Sequence, residues 1–439
     1  MGQSLRSRLQ RIRDPSGPPL RAPSGPPSRT ENSGSVPGPD WAAVGFKAAK
    51  RSVSLDLPVP LILPFPRALS VLIPDLLRYA GSGVPEPGDL VFFDLETTGL
   101  SGGAGTVAFL AAFGRFTPIR DQRDAAGPAR PPKAAGAPPG FRLQIDQYLL
   151  LDYPGEYDFL GALLPEFRKT GGPPLAVTYN GKSFDSQILR TRCLMNGIAP
   201  PVYYHADLLH PARRLWRRVL PSCSQGEIET AVLGLDRTAD VPGALAPDIW
   251  FSFLRSGDGG TLSGICDHNV RDILGLASLF SALGHIAGNP LETGKAYRAD
   301  MASLALRWRE AARGGPAREK GTGPGLRETA EELLAAAGKD HPEVTYIQGL
   351  DLIRDGSLRE GRRRLRSLLG GTIPPRVRAA AYRTLAVDAE WRLRDLKAAL
   401  DYVGAALDLD VIGEGLKTEF RRRRDRLNQK AARQGRGIR

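Results

Sequence analysis

An α/β domain built on a mixed sheet with helices on both faces, followed by an all-α, repeat-like region, is the fold class three observations predict. Three β-rich segments come first: "DLVFFDLE", "TVAFLAAFGRF" and "FRLQIDQYLLLD". Strand and helix patterns then alternate, which lays helices over both faces of a sheet. After Gly288 the apolar spacing is helical throughout. The chain has 439 residues, 41% of them apolar and 24% charged, enough for two or three domains with substantial cores.

Taken in order, residues 1–40 are rich in Pro, Ser, Gly and Arg and predict disorder, with "SLRSRLQRIR" as a short basic helix. A basic tail is expected over residues 1–52 and a Pro-punctuated lead-in over 53–87, ending in a short helix at "ALSVLIPDLLRYA". The globular domain follows at 88–288. Its first strand reads as buried on both faces; the next two alternate partially. A Pro/Ala/Gly insert between them, roughly 117–140, is too polar to pack and reads as a long, mobile hairpin loop. "DFLGALLPEFRKT" then predicts a helix, "PLAVTYN" a strand, and "SFDSQILRTRCLMNG" a helix with Ser183 as N-cap. "DLLHPARRLWRRVL" is amphipathic, with Leu208, Leu209, Ala212, Leu215, Trp216 and Val219 on one face and Asp207 placed to cap it. "GICDHNVRDILGLASLFSALG" predicts a longer helix. In the helical region, 289–416, residues 346–369 and 382–407 both pattern as helix–turn–helix, offset by roughly 36–38 residues, near a tetratricopeptide period. A second basic tail is expected at 417–439.

The net charge of +13 sits at the ends: residues 1–51 carry +6 and residues 417–439 carry +8. Such tails either draw in nucleic-acid phosphates by counterion release or simply solubilise the chain. Cys193, Cys223 and Cys266 are scattered without a CxxC pair, as expected of ordinary small hydrophobes in a reducing cytosol. The first 40 residues lack a signal-peptide core, and the most apolar stretch, from Leu55, carries five prolines and three charged residues. The expectation is a cytoplasmic protein without a membrane span.

The chemistry gathers at "FFDLETTGLSGGAG". Asp94 and Glu96 stand at i and i+2 of a strand, on the face shared by Phe92. Two adjacent carboxylates repel each other unless a cation lies between them; hard oxygen donors at this spacing suit Mg²⁺ or Mn²⁺. A solvated strand end is the plainer alternative. Thr97, Thr98 and Gly99 then turn the chain where a substrate would approach. "YNGKSFD" places Asp185 just inside a helix, and "HNVRD" places His268 and Asp272 at i and i+4 on one helical face. The composite D-x-E…D…H-x-x-x-D is far more specific than any of its parts.

These motifs resemble those of the DEDD superfamily of 3′–5′ exonucleases, which have a ribonuclease-H-like fold. "FDLETTGL", "YNGKSFD" and "HNVRDI" stand at its three motifs. A closer resemblance is to the bacterial YprB-type ribonuclease-H-like proteins. It spans roughly residues 88–285 and includes "SGGAGTVAFLAAFGRF" and the whole stretch from "DLLHPARRLWRRVL" through "DIWFSFLRSG", with further likeness in the "SLRSRLQRIR" start and the helical C-terminal region. The resemblance implies that Asp94, Glu96, Asp185 and Asp272 ligate two divalent ions, Mg²⁺ or Mn²⁺, in phosphodiester hydrolysis. It implies that His268 orients or deprotonates the attacking water. The spacing departs from the family's histidine class: the base position five before the last acid is here Asp267, while His268 sits where the tyrosine class places its Tyr. The implied substrate is DNA or RNA entered by a single-stranded 3′ end, with the helical region open to a protein partner.

Other residues carry weaker signals. Thr97, Thr98, Asn180 and Lys182 are candidate substrate contacts, Asn180 and Lys182 equally plausible as turn residues. Arg213, Arg214, Arg217 and Arg218 flank Trp216, whose place on the apolar stripe favours core packing over stacking on a base; the arginines read as phosphate contacts or as a solvated face. His205 and His210 read as structural. Two other functions compete with the nuclease: a catalytically weak or inactive nucleic-acid binder, and a phosphatase, because "FDLETT" resembles a D-x-D-x-T nucleophile loop. In the phosphatase reading Glu96 stands where an Asp is required and "HNVRD" has no role.

Overall fold

The computed structural model of the protein describes residues 36–79, 84–99, 105–119, 140–168, 171–238, 240–314, 323–338, 341–409 and 412–436. The basic helix expected near residues 4–13 and most of the insert after β4 lie outside these residues.

Seven strands form one mixed sheet in the order β1-β2-β5-β4-β3-β6-β7. They are β1 (Ala42–Gly45), β2 (Ala48–Asp56), β3 (Leu90–Thr97), β4 (Ala108–Pro118), β5 (Phe141–Leu150), β6 (Leu175–Thr178) and β7 (Tyr204–Asp207). From β1 to β3 the neighbours run antiparallel; β3–β6 and β6–β7 are parallel. Side chains on β3 alternate between two cores, as the pleat dictates. Leu90 and Phe92 join Phe116, Leu143 and Ile145 on one face. Val91, Phe93 and Leu95 join Phe109 and Phe113 on the other. This is a ribonuclease-H-like arrangement, with a helical region behind it.

The β1–β2 hairpin corrects the expected tail and lead-in. Its residues fall in stretches assigned to a disordered segment ending at residue 52 and a Pro-punctuated one after it. Yet β2 pairs with β5 over nine positions, from Ala48↔Leu150 to Asp56↔Arg142. Ala48 and Ala49 are buried, Lys50 pairs with Asp146 at 2.9 Å, and Arg51 stacks over Trp41.

The helices of the domain are α1 (Leu69–Leu72), α2 (Glu156–Leu163), α3 (Asp185–Met195), α4 (Leu209–Trp216), α5 (Gln225–Ala231), α6 (Ala246–Ser256) and α7 (Ser263–Gly288). α7 runs along the Phe92 face, burying Ile273, Leu276, Phe280 and Leu283. A Cβ on Gly114 of β4 would lie 2.5 Å from Ile273 Cγ2, so only glycine lets this helix settle on the sheet. The stretch Gly259–Gly288 is long and apolar enough to cross a membrane, but it is mostly buried inside the domain. Ser183 does not cap α3: Phe184 precedes the helix without a side-chain bond, and Ser183 N–H closes the preceding turn onto Asn180 O at 3.2 Å. α4 buries Leu209, Ala212, Leu215 and Trp216, while Val219 lies beyond the helix and is exposed.

Beyond α8 (Glu292–Ala296), α9 (Met301–Gly314) and α10 (Gly323–Ala336) come two helical hairpins. They are α11 (Pro342–Arg354) with α12 (Leu358–Arg366), and α13 (Pro375–Asp388) with α14 (Leu396–Leu407). The expected basic tail is instead largely helix. α15 (Glu414–Arg436) buries Phe420 and Leu427, and three of its cations, Arg423, Arg426 and Lys430, converge on Glu390. Its apolar spacing is sparse, with the cations committed to one buried acid rather than to a free arm.

Candidate active site

β3 points Asp94 and Glu96 to the α7 face, as the i, i+2 relation requires. The turn after β6 supplies Asp185. There Asn180 takes a left-handed φ of 65°, and a Cβ on Gly181 would lie 2.5 Å from Thr178 Oγ1, so the chain folds back tightly before α3. Asp185 is the first residue of α3, where the helix dipole favours a carboxylate, and it accepts a bond from Leu95 N–H. α7 supplies His268 and Asp272. Together these side chains line a cavity of about 250 Å³.

Within it, Glu96, His268 and Asp272 offer ligand atoms all within 4.8 Å of one another. His268 Nε2 lies 3.2 Å from Asp272 Oδ2 and 3.7 Å from Glu96 Oε1; Nδ1 lies 3.0 Å from Asp240 Oδ1. Thr97 and Asn180 line the same cavity. Thr98 and Lys182 do not: Thr98 Oγ1 accepts Val107 N–H at 3.0 Å to close the turn, and Lys182 Nζ pairs with Asp75 at 2.7 Å. Asp267 points outward to Arg51, so it is His268 that faces the acids. His205 sits away from them, hydrogen-bonded to Thr178 Oγ1 at 2.8 Å; burial lowers its pKa to about 4, a structural role.

The carboxylates are short of positive charge. Burial, then the neighbouring Asp272, raises Asp94 to about 7. Burial and the Asp94 charge push Glu96 and Asp185 well above the usual carboxylate range. Burial opposes charge on His268, but its interaction with the Asp272 carboxylate, then with Asp240 and Glu96, raises it to about 9. Without a bound ion, His268 and the Arg237 guanidinium on Asp272 are the counter-ions of the cluster. Buried oxygen donors that repel one another are a donor set for a hard divalent cation, so Mg²⁺ or Mn²⁺ fits.

Several residues here were not singled out from the sequence. Arg51, Gln147, Ala112 and Asp94 lie in register across β2, β5, β4 and β3. Ala112 is small enough for Asn269 of α7 to bridge over it. Arg51 Nε donates to Gln147 Oε1 at 2.6 Å, Gln147 Nε2 to Asn269 Oδ1 at 2.9 Å, and Asn269 Nδ2 to Asp94 Oδ2 at 2.9 Å. This buried relay fixes the Asp94 carboxylate. Arg237 bonds Asp272 and Glu229, and reaches Asp240 at 2.9 Å, so one guanidinium sits among three acids. Asn269 was visible one residue after His268. Arg237 and Asp240 come from a loop inside the stretch that carries the resemblance, where no spacing singles them out.

Residues 145–284 match a family model of the ribonuclease H superfamily. The match runs from β5 to α7 and includes Asp185, His268 and Asp272, while Asp94 and Glu96 lie before it. The chain is also similar to the uncharacterized protein YprB of Bacillus subtilis (strain 168), 36% identical over 195 residues. That similarity covers 44% of this chain and 41% of the relative. A ribonuclease-H-like domain points to nuclease chemistry, for which divalent ions are the usual cofactors.

Proposed function

We propose that the chain is a metal-dependent nuclease, a 3′–5′ exonuclease that hydrolyses phosphodiester bonds with two divalent ions. Asp94, Glu96, Asp185 and Asp272 would hold the ions. One observation carries the reading: four carboxylates meet in one cavity with too few protein cations to neutralise them. Divalent ions bound there would neutralise the phosphodiester and acidify the attacking water. His268 presents Nε2 to the acids while Asp240 faces Nδ1. Asp240 stands 3.0 Å from Nδ1 without completing a hydrogen bond, a charge beside the ring, while Nε2 would take the proton from water. Neutral imidazole is required for that task, and ions that replace His268 as counter-charge would return its pKa toward neutrality. Thr97 and Asn180, at the cavity wall, are placed to touch the strand. Asn269, held by Gln147, orients Asp94.

The test is purified protein with Mn²⁺ or Mg²⁺ against 5′-labelled single- and double-stranded DNA and RNA. Stepwise shortening from the 3′ end is expected; intact substrate under all conditions, with retained binding, would leave an inactive binder. A cytoplasmic setting belongs to the same reading and agrees with three free cysteines, two of them buried; cell fractionation checks it.

A further inference from the structure

A second cavity, about 950 Å³, opens beside α4, between the sheet domain and the helical region. Eight arginines line it, with Glu310 as the acidic residue among them. Four of them come from α4 and the turn that follows it: Arg213 and Arg214 lie in the helix, Arg217 and Arg218 just after it. Leu209, Ala212, Leu215 and Trp216 turn into the core, so the residues between them must face out. Trp216 is fully buried and its Nε1 donates to Tyr297 O at 2.8 Å, which leaves it unavailable for stacking on a base.

The arginines divide into two groups. Arg218 pairs with Asp300 and Glu343, and Arg376 shares Glu343. Arg309 and Arg313 share Asp351, and Arg307 pairs with Glu310. Arg213, Arg214 and Arg217, all exposed, have no carboxylate partner among the described residues. The wall therefore holds a surplus of positive charge that the protein does not neutralise. Partial burial of its stem and then the Arg307 charge lower the Arg214 pKa, with Glu310 and Asp75 acting the other way without forming an ion pair.

The acid-site turn and α4 are joined through Asp207, which accepts Asn180 N–H at 2.8 Å and Leu209 N–H at 3.1 Å. Tyr179 lines the acid site, and its hydroxyl donates to Cys223 O at 2.6 Å. Tyr179 feels the charge of Arg213, and Cys223 those of Arg213 and Arg217.

We propose that Arg213, Arg214 and Arg217 bind the phosphodiester backbone of a single strand whose end reaches the acid cavity. The proposal rests on the nuclease reading for the identity of that end, but the binding stands on the arginines. Guanidinium forks match phosphate oxygens in geometry and charge. The cavity is at the upper end of the range for ligand sites and exceeds what a lone phosphate fills. Several guanidiniums spread along one wall suit a repeating anion.

The experiment uses the full chain in EDTA, where strand affinity is read without cleavage. Fluorescence anisotropy of fluorescein-labelled oligo(dT) and oligo(U) is followed across a salt series. The triple variant Arg213→Gln, Arg214→Gln, Arg217→Gln is expected to raise Kd by about tenfold or more and to flatten the log K against log salt slope by about 2, three contacts at about 0.7 each. Each single variant should flatten it by about 0.7, which keeps the test decisive if the triple variant melts early. Unchanged affinity and slope overturn the proposal. So does poly-glutamate that displaces the wild-type complex as well as unlabelled strand does, which would assign the wall to an acidic protein. Cleavage by the wild type in Mn²⁺ is scored separately. A wild type that binds through these arginines but never cleaves refutes the nuclease reading and leaves the arginine site standing.

Discussion

Glu390 and Glu96 are both buried glutamates, and the fold treats them in opposite ways. Glu390 receives Arg423 at 3.1 Å, Arg426 at 2.9 Å and Lys430 at 2.5 Å. Burial would raise its pKa, but bonds from Lys430 and Arg426 hold it below the usual carboxylate range. Glu96 is surrounded by Asp94, Asp185 and Asp272, with His268 as its nearest cation, and is pushed well above that range. An acid used to join two helices is matched to cations from the chain. An acid left unmatched is waiting for charge from outside. On the proposed reading, the same difference would separate a structural acid from a metal-binding one.

Breaking the unmatched side gives the largest effect. Asp185→Asn should reduce nuclease activity by more than about 10⁴-fold, beyond the usual loss of a general base. It should also raise the melting temperature of the metal-free protein, because it removes one buried, repelling charge. Activity at the wild-type rate would mean that Asp185 is no ligand.

His268→Ala should lower kcat by about 10²–10⁴-fold with the Mn²⁺ requirement nearly unchanged. His268→Tyr should recover part of the activity and shift the acidic limb of the pH–rate profile. If the alanine variant instead keeps its kcat at saturating Mn²⁺ and needs more metal, His268 supports the ions and is not the base.

On the matched side, Glu390→Gln should leave cleavage untouched and cost about 3 kcal/mol in urea unfolding, the low end for a broken buried pair since Arg426 and Lys430 are partly exposed. A loss below about 0.5 kcal/mol, the scale of an exposed pair, would show that the cluster on α15 behaves as surface charge.

The smallest effect is on pH. Asp94 is raised from 3.8 to about 7, so its contribution to metal-free stability is full below pH 4 and is lost as pH rises through 7. Glu390 is lowered, so its contribution is present above its unfolded pKa and is lost as pH falls through its depressed folded value. Added Mn²⁺ should therefore raise the melting temperature by a few degrees at pH 8 and hardly at all at pH 4. Equal metal effects at both pH values would contradict the raised carboxyls.

How much of this was legible follows from the range of each signal. Strand β3 and the pairing of His268 with Asp272 are short-range periodicities, i to i+2 and i to i+4, and the sequence displays them directly. The β1–β2 hairpin was not legible. Its pairing partner β5 lies about a hundred residues on, Lys50 and Arg51 break the apolar alternation, and the Pro/Ser/Gly run before it masks the start. No local pattern marks Gln147 and Arg51, because their use depends on Ala112 being small on a strand between them and Asp94. Lys182 is adjacent in sequence to the acid motif, yet its long side chain reaches Asp75 instead. Charge totals place the excess at the two ends but say nothing of pairing: α15 spends three cations on Glu390, while Arg213, Arg214 and Arg217 stand on and just after α4 with no ion pair among the described residues.

Asp207 has a consequence for strand handling. Buried at the end of β7, it accepts Asn180 N–H at 2.8 Å and Lys182 N–H at 3.1 Å from the acid-site turn, and Leu209 N–H at 3.1 Å from the first turn of the arginine helix. One carboxylate thus bolts the turn and the helix to a common post, and on the proposed reading the gap between them would act as a ruler. A strand too short to bridge the gap engages one end or the other. Affinity should accordingly step upward at one oligonucleotide length; a smooth climb with length would show that the post does not hold the spacing.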